Sequence, residues 1–337
     1  MTVPPGGGPR TGPGTRPGTG PGTDAPLDRQ PAPALSRAAV DRSADHRTDR
    51  EWLADAWSTR GQVLLLDAEY RVLVAAVPAG VTGTGLGSER LTDGGPPPRL
   101  HLGVAEGELP EDILFLGDDG TTAYFARRVE SLPATDEARP ALLREVGAAL
   151  DDRDAGLLVH AVALLTWLDR SVHCPRCGAV TEVRAAGSLR FCPVDSSEHH
   201  PRTDPAMIVL VTSPDGEQAV LGRNRGWPDG LYSCLAGFVE PGESAEQSVV
   251  REVAEEAGLH AYDLRYTGSQ PWPFPSSLML AYTAVADVGE VHPDPVELDD
   301  ARWFGREELR TALRDGTIWA PPTVSIARRL IDAWLAG

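Results

Sequence analysis

The residues from 237 to 258 combine glycines and charged side chains at a spacing that suits divalent-metal chemistry. The segment has glycine at both ends and encloses Glu243, Arg251, Glu252, Glu255 and Glu256. Carboxylates this close together repel one another unless a positive charge lies between them. Oxygen-rich clusters of this kind suit Mg²⁺ or Mn²⁺, which bind a few carboxylates and leave positions open for substrate phosphates. The spacing therefore indicates a metal site that acts on a phosphorylated substrate.

A helix that begins after Ser244 must position these side chains. Ser244 and Gln247 form a capping-box pattern behind a turn rich in Gly and Pro. A helical wheel places Val249, Val250, Val253, Ala254 and Ala257 on one arc and Arg251, Glu252, Glu255 and Glu256 on the opposite one. The alternative is a solvated amphipathic helix in which Arg251 pairs with Glu255 at i,i+4. The glycines and Glu243 at fixed distances favour the metal site.

The stretch GFVEPGESAEQSVVREVAEEAGL resembles the Nudix box of hydrolases that cleave nucleoside diphosphates linked to another group. The resemblance implies an α/β fold, the Nudix α/β/α sandwich, and a metal-dependent attack of water on phosphorus. By position it makes Glu252 and Glu256 the main metal ligands and Glu255 a further ligand or the base. Arg251 would hold a carboxylate in place.

A second motif, SQPWPFPSSLM, follows at residues 269–279. Its three prolines alternate with Trp272 and Phe274, so the backbone is restricted and the rings have little entropy to lose on binding. Rigid aromatic rings beside hydroxyl and amide groups suit stacking on flat heterocycles and hydrogen bonding to ribose or base edges. Such a loop often serves packing alone, but its position after the acidic helix favours ligand binding.

The two motifs together resemble the NADH pyrophosphatase (NAD diphosphatase, NudC-like) branch of the Nudix superfamily. Residues 200–206 (HPRTDPA), Glu297 and residues 322–327 (PTVSIA) agree with the same branch. The resemblance implies metal ligation by Glu252, Glu255, Glu256, Glu297 and the backbone carbonyl of Ala236. It implies a dinucleotide pocket formed by His200, Phe238, Gln270, Pro271, Trp272, Pro273, Phe274, Pro275, Ser276, Ser277 and Ala327. The chain departs from the branch at His200, where a tyrosine is usual.

The reaction that this resemblance implies is hydrolysis of the pyrophosphate of NADH or NAD⁺ to AMP and nicotinamide mononucleotide, with Mg²⁺ or Mn²⁺ as cofactor. Removal of NAD caps from RNA 5′ ends breaks the same bond and stays open as an alternative. The net charge of −18 counts against RNA, and a local patch of Arg184, Arg190 and Arg202 would compensate. A non-catalytic nucleotide-sensing protein is the alternative from another class, and the complete set of motif carboxylates argues against it.

Three cysteines form most of a zinc site ahead of these motifs. Cys174 and Cys177 form a C-x-x-C knuckle, and Cys192 follows after fourteen intervening residues, which gives three ligands of a four-ligand zinc ribbon. The fourth thiolate position holds Asp195, which can bind zinc, and His199 or His200 is close enough in sequence to replace it. Structural zinc and a metal-free ribbon both stay open. The fourth cysteine, Cys234, lies in an apolar run and is predicted to be a buried core thiol.

The composition is that of an acidic chain without lysine. All 31 basic residues are arginine, which excludes Schiff-base and P-loop chemistry because both require lysine. The pI near 4.8 argues against broad binding to nucleic-acid backbones. No apolar run approaches the ~18 residues of a membrane span, and the first residues do not resemble a signal peptide. We therefore predict a cytoplasmic protein without a membrane partner, and the family resemblance implies a homodimer.

The chain divides into four predicted segments. Residues 1–48 are rich in Gly, Pro, Thr and Arg and are predicted to be disordered. Residues 49–170 contain strand-like runs and a helical stretch, which predict an N-terminal α+β domain of NudC-like architecture with a structural or dimerising role. Residues 171–202 form the zinc-ribbon-like module. In residues 203–337, strands flank amphipathic helices, as expected for the Nudix hydrolase domain.

Overall fold

The N-terminal region has two small sheets packed on a long helix in the computed structural model, which describes residues 32–75 and 97–337. Its elements are α1 (Arg50–Arg60), β1 (Gly61–Leu66), β2 (Val72–Ala75), β3 (Arg99–Leu100), β4 (Gly103–Val104), β5 (Leu114–Asp118), β6 (Ala123–Arg128), β7 (Ala138–Ala141), α2 (Leu143–Val146) and α3 (Asp152–Arg170). One sheet has the strand order β4-β1-β6-β5, in which β1 and β6 are parallel, and the other has the order β3-β2-β7. This region is therefore an α+β unit.

Helix α3 is buried along most of its length because apolar side chains occupy several of its faces. Leu158, Val162 and Leu165 pack in one core with side chains from both sheets. Among the described residues, no helix is both long and apolar enough to cross a membrane.

Residues 32–48 are packed against the rest of the chain. Leu35 is only 1% exposed and belongs to the core around α3. Arg37 donates to the carbonyls of Leu150 and Gly147, and Ser36 Oγ donates to the Ser269 carbonyl at 2.6 Å. The disorder predicted for residues 1–48 therefore includes too many residues, because contacts with distant elements order residues 32–48 despite their composition. Residues 1–31 lie outside the described residues.

The cysteine module is a three-stranded antiparallel sheet of β8 (Glu182–Arg184), β9 (Leu189–Phe191) and β10 (Glu198–His199), with a 3-10 turn at Ala185–Gly187. Arg190 joins this module to α3, because its guanidinium donates to Thr181 and to the Leu168 carbonyl. Since Arg190 is buried, it does not belong to the surface arginine patch that the sequence suggested.

The C-terminal region is built around one mixed sheet. Its elements are β11 (Asp204–Thr212), β12 (Gln218–Asn224), β13 (Leu235–Phe238), α4 (Ala245–Ala257), β14 (Tyr262–Trp272), β15 (Ser277–Val285), β16 (Leu298–Gly305), α5 (Arg306–Asp315) and α6 (Ile326–Ala336). The strand order is β14-β15-β11-β12-β16, and β13 pairs with β11.

Side chains alternate along β11, so this strand supplies both cores of the region. Met207 and Val209 pack in the core that contains Val249 and Val253 of α4. Ile208 and Leu210 pack in the opposite core, with side chains of α5 and α6. The predicted α/β/α sandwich is confirmed.

Candidate active site

Helix α4 presents the acidic motif, and it begins and ends as the sequence predicts. Ser244 Oγ accepts from the Gln247 N–H at 3.2 Å, and the Gln247 side chain accepts from the Ser244 N–H at 2.8 Å. The helix ends at Gly258, whose φ of 68° is left-handed. The first and last turns are thus fixed by the motif itself.

Two glutamates of this helix point into the protein. Glu252 is 8% exposed and Glu256 is 3% exposed, whereas Ala254, expected on the apolar arc, faces solvent. The helical wheel placed both carboxylates on the arc opposite the apolar side chains, and in the structure the protein covers them.

Glu256 has the environment of a metal ligand. Its Oε2 is buried and makes no hydrogen bond among the described residues. Burial, and then the negative charges of Glu252 and Glu297, raise the pKa of Glu256 to about 8, while the backbone of Ala236 opposes this shift. A buried carboxylate without a partner is costly unless a cation binds it. The donor set therefore fits a divalent metal ion.

Glu252 lies against the backbone of β13. A Cβ added at Gly237 would come well inside 3.0 Å of the Glu252 carboxylate. Burial raises the pKa of Glu252, and Arg251 acts in the opposite direction. Glycine at 237 is thus required so that the helix can place this carboxylate beside the strand.

Arg251 holds the acidic side chains in position. Its Nε and Nη2 bind the two carboxylate oxygens of Glu243, each at 2.9 Å. Its Nη1 lies 2.9 Å from both Glu252 and Glu255. Hydrogen bonding to Arg251 lowers the pKa of Glu243. Arg251 therefore orients Glu252, and the pairing with Glu255 that the sequence suggested is present.

The remaining predicted ligands lie around the two buried glutamates. The Glu255 side chain is 57% exposed, so it faces solvent at the edge of the site. Glu297 precedes β16, is exposed, and is close enough to raise the pKa of Glu256. Ala236, in β13, pairs with Ile208 of the central strand. These positions leave one side of the site open to water and substrate.

A cavity of about 250 Å³ adjoins β13 at Ala236. Of the predicted substrate residues, Trp272 and Ala327 line it, together with Trp227. Sequence reasoning missed Trp227, although an aromatic ring between two strands in the segment GRNRGW was a signal for it. An aromatic-lined cavity beside these carboxylates suits the ring of a nucleotide.

The other residues of the predicted pocket do not share this cavity. Phe238 is 59% exposed, and Gln270 is fully buried with its Nε2 donating to the Val324 carbonyl at 2.9 Å. Phe274 packs edge-to-face on Trp272 and lies below the guanidinium of Arg144. A second cavity is lined by His200, Pro271, Trp272, Pro273, Pro275, Ser276 and Ser277. The loop therefore separates distinct spaces, and Gln270 serves to anchor it.

The predicted zinc residues meet at one point. The ligand atoms of Cys174, Cys177, Cys192 and Asp195 all lie within 4.8 Å of one another. His199 Nε2 is also 3.4 Å from Cys174 Sγ, so it remains a candidate ligand. Although burial opposes it, hydrogen bonding from Ser197 and from the N–H groups of Arg176 and Cys177 lowers the pKa of Cys174 to about 6, whereas burial raises the pKa of Cys192 to about 11. The cluster fits zinc by its geometry, since three sulfur atoms and one carboxylate oxygen lie close enough to share one ion.

We expect the wild-type protein to retain about one zinc ion per chain after dialysis, because structural zinc sites of this type bind tightly. Cys177→Ser removes one thiolate and should lose nearly all of the zinc. Cys234→Ser, a cysteine outside the cluster, is the matched control and should keep it. Elemental analysis by mass spectrometry measures the zinc content of each variant. Comparison of the zinc content of Asp195→Ala with that of His199→Ala identifies the fourth ligand. Equal zinc in Cys177→Ser and Cys234→Ser would contradict the assignment.

Comparison with known proteins gives two matches to family models. Residues 202–325 match the NUDIX domain, and residues 61–167 match a domain described as an NADH pyrophosphatase-like rudimentary NUDIX domain. The two matched segments lie on either side of the cysteine module.

Two relatives extend over nearly the whole chain. The chain is 40% identical over 319 residues to the NAD-capped RNA hydrolase NudC of Mycobacterium tuberculosis, covering 90% of this chain and 95% of that protein. It is 32% identical over 352 residues to the human NAD-capped RNA hydrolase NUDT12, covering 89% of this chain and 73% of that protein. A solved structure of a NUDIX hydrolase from Nitrosomonas europaea matches 40% of this chain and 78% of its own, with 22% identity and a TM-score of 0.36.

Proposed function

The chain belongs to the NADH pyrophosphatase-like (NudC) branch of the Nudix hydrolases, and from this we propose that it hydrolyses the pyrophosphate bond of NADH or NAD⁺. The observation that carries the proposal is the buried carboxylate oxygen of Glu256, which has no hydrogen-bond partner in the part of the chain that the structure describes. This carboxylate lies next to Ala236, which also lines the cavity that contains Trp272. A metal-binding group and a ring-binding cavity therefore meet at one strand.

Glu252, Glu256 and Glu297 would hold Mg²⁺ or Mn²⁺ in this site, with the Ala236 carbonyl beside them. When bound, such an ion neutralises the bridging phosphates and lowers the pKa of the attacking water. Arg251 keeps Glu252 in position through its contact at 2.9 Å. Glu255 is exposed and adjacent, so it can accept the proton of the water.

The proposed reaction adds one water molecule across the phosphoanhydride. The water oxygen attacks one phosphorus, and the bond from that phosphorus to the bridging oxygen breaks. The products are AMP and the nicotinamide mononucleotide. Trp272 and Ala327 would position one end of the dinucleotide in the cavity of about 250 Å³ while the acidic side chains act on its pyrophosphate.

Removal of NAD caps from RNA is a second candidate, because both full-length relatives named above are NAD-capped RNA hydrolases. The bond that breaks is the same. Only the chain attached to the adenosine differs, so the proposed roles of Glu252, Glu256 and Arg251 are unchanged.

A product assay tests both candidates. NADH, NAD⁺, ADP-ribose and NAD-capped RNA are incubated with Mg²⁺ or Mn²⁺, and the products are separated by chromatography. We expect AMP and the nicotinamide mononucleotide from the free dinucleotides, and 5′-monophosphate RNA from the capped transcript. A strong preference for capped RNA would make cap removal the main function. Absence of turnover on every substrate would contradict the proposal and favour a nucleotide sensor.

The homodimer and the cytoplasmic location stay predictions. Light scattering coupled to size-exclusion chromatography measures the mass in solution, and a value near that of a single 35.9 kDa chain would contradict the dimer.

A further inference from the structure

The second cavity, of about 510 Å³, is positively charged although the chain carries a net charge of −18. Arg42 and Arg47 line it from the packed N-terminal segment, and Arg202 lines it from the start of the C-terminal region. His160 of α3 and His200 are also part of the wall. None of the described residues that line this cavity is acidic. We call this space the arginine cavity.

Two of the arginines lack a counter-charge. Neither Arg42 nor Arg47 pairs with a carboxylate among the described residues, and the buried Nε of Arg47 has no hydrogen-bond partner there. Arg202, by contrast, binds Asp204 at 2.7 Å, so its charge is partly neutralised. Unpaired guanidinium groups in a concave site favour an anion, above all phosphate.

The other polar groups of the wall are compatible with an anion. Burial, and then the charge of Arg42, lowers the pKa of His160 to about 3, so this ring is neutral and does not add charge. Ser188 is 9% exposed and is part of the cavity wall, and its hydroxyl has no hydrogen-bond partner among the described residues. Buried hydroxyl groups usually have a hydrogen-bond partner, so this one is available to a bound molecule.

Trp272 lies between the arginine cavity and the candidate active site. Its side chain lines both the arginine cavity and the smaller cavity beside Ala236. A substrate that is bound in the smaller cavity and extends around the Trp272 side chain would enter the arginine cavity, where Arg42 and Arg47 are part of the wall. The two phosphates of a free dinucleotide are already placed at the acidic helix, so a further phosphate must come from a longer substrate.

We infer that the arginine cavity is a phosphate subsite, in which Arg42 and Arg47 bind a phosphodiester of the RNA chain attached to the dinucleotide. This inference rests on the proposed hydrolysis of the dinucleotide pyrophosphate. The arginine cavity provides a local cationic site, through which an acidic protein can select a polyanionic substrate. A phosphate on the ribose of the dinucleotide itself, as in NADPH, has the same chemistry and is separated by the test.

The test compares Arg42→Ala/Arg47→Ala with a control that removes the same charge, Arg139→Ala/Arg314→Ala, whose side chains are exposed and outside the cavity. We expect kcat/KM for NAD-capped RNA to fall about 10- to 100-fold in the cavity variant, because two charge-assisted phosphate contacts are lost. Turnover of NADH and of NADPH, measured in parallel, should change less than about 3-fold in both variants. Arg42→Lys/Arg47→Lys keeps the charge and should restore much of the activity on capped RNA.

Salt dependence gives a second readout. For a single strand, the slope of log affinity against log salt is about −0.7 for each phosphate contact. The slope for capped RNA should therefore be less steep by up to about 1.4 in the cavity variant and unchanged in the control. Thermal melting confirms that each variant is folded.

Binding separates this inference from the proposed function. A fluorescent 5′-monophosphate RNA is titrated against Glu256→Gln protein with and without the two cavity substitutions, and no turnover is needed. Loss of at least about 10-fold in affinity with the cavity substitutions supports the subsite. Equal losses on NADH and capped RNA, a loss confined to NADPH, or no loss on RNA would each overturn it. Absence of all hydrolysis by the wild type would overturn only the proposed function.

Discussion

Glu256→Gln is expected to lower kcat for the dinucleotide at least ~100-fold while the fold stays intact. The amide keeps the shape of the side chain but removes the charge that would hold the metal ion. Glu256 is buried, and its Oε2 has no hydrogen-bond partner among residues 32–75 and 97–337, so the loss of its charge is not offset by a neighbouring group there. Steady-state kinetics on NADH at saturating Mn²⁺ measures the effect. Near-normal turnover would contradict the assignment of Glu256 as a metal ligand.

The same substitution should stabilise the metal-free protein at pH 8. The pKa of Glu256 is raised from 4.5 to about 8, so the folded state holds its proton over a range in which the unfolded state has lost it. Stability of the wild type therefore falls as the pH rises from 4.5 to 8, and this loss is absent in the glutamine variant. We expect a gain of about 1–3 kcal/mol at pH 8 and none near pH 4.

Thermal melting in EDTA checks this expectation, since 1 kcal/mol corresponds to about 2–4 °C for a domain of this size. Adding Mn²⁺ should raise the melting temperature of the wild type and leave the variant unchanged. Glu240→Gln, at an exposed position of the preceding turn, is the matched control and should alter neither activity nor melting. A variant that melts below the wild type in EDTA at pH 8 would contradict the proposed cost of burying Glu256.

The sequence predicted the acidic helix well because its signals are local. Ser244, Gln247 and Gly258 fix the ends of α4 through contacts within a few residues. The burial of Glu252 and Glu256 was not predictable in the same way. A helical wheel gives the angle between side chains around the helix axis. The burial of these two side chains depends on β13, which contacts the helix through tertiary packing.

The loop after β14 shows the same limit. Its prolines and aromatic rings predicted a rigid ligand-binding segment, yet Gln270 is an anchor and Phe274 packs toward Arg144. Residues 273–276 form the turn between β14 and β15, and the neighbours of each side chain in this turn are set by tertiary packing, which the local sequence does not specify. Arg42 and Arg47 were missed because a segment rich in Gly, Pro and Arg suggests disorder, and only distant contacts order it.

Gly237→Ala is expected to reduce kcat about 100-fold through one methyl group. The added Cβ would overlap the Glu252 carboxylate, and φ at Gly237 is not left-handed, so the backbone accepts alanine without strain. The carboxylate is the end of a flexible side chain and will move before the strand does. That movement breaks its contact with Arg251 at 2.9 Å, and a shift of about 1 Å in a catalytic group can cost 100-fold in rate.

Gly289→Ala is the matched control for this substitution, because it also lacks a left-handed φ and its Cβ would meet nothing closer than 4.0 Å. We expect the control to keep full activity and both variants to melt close to the wild type. Metal affinity, measured by calorimetry with Mn²⁺, should fall in Gly237→Ala only. If Gly237→Ala bound Mn²⁺ and turned over NADH normally, Glu252 would not need its position against β13, and the proposed role of the strand in placing this ligand would fail. A loss of turnover together with weakened metal binding, in a protein that is still folded, would instead tie the glycine of the motif directly to the metal site.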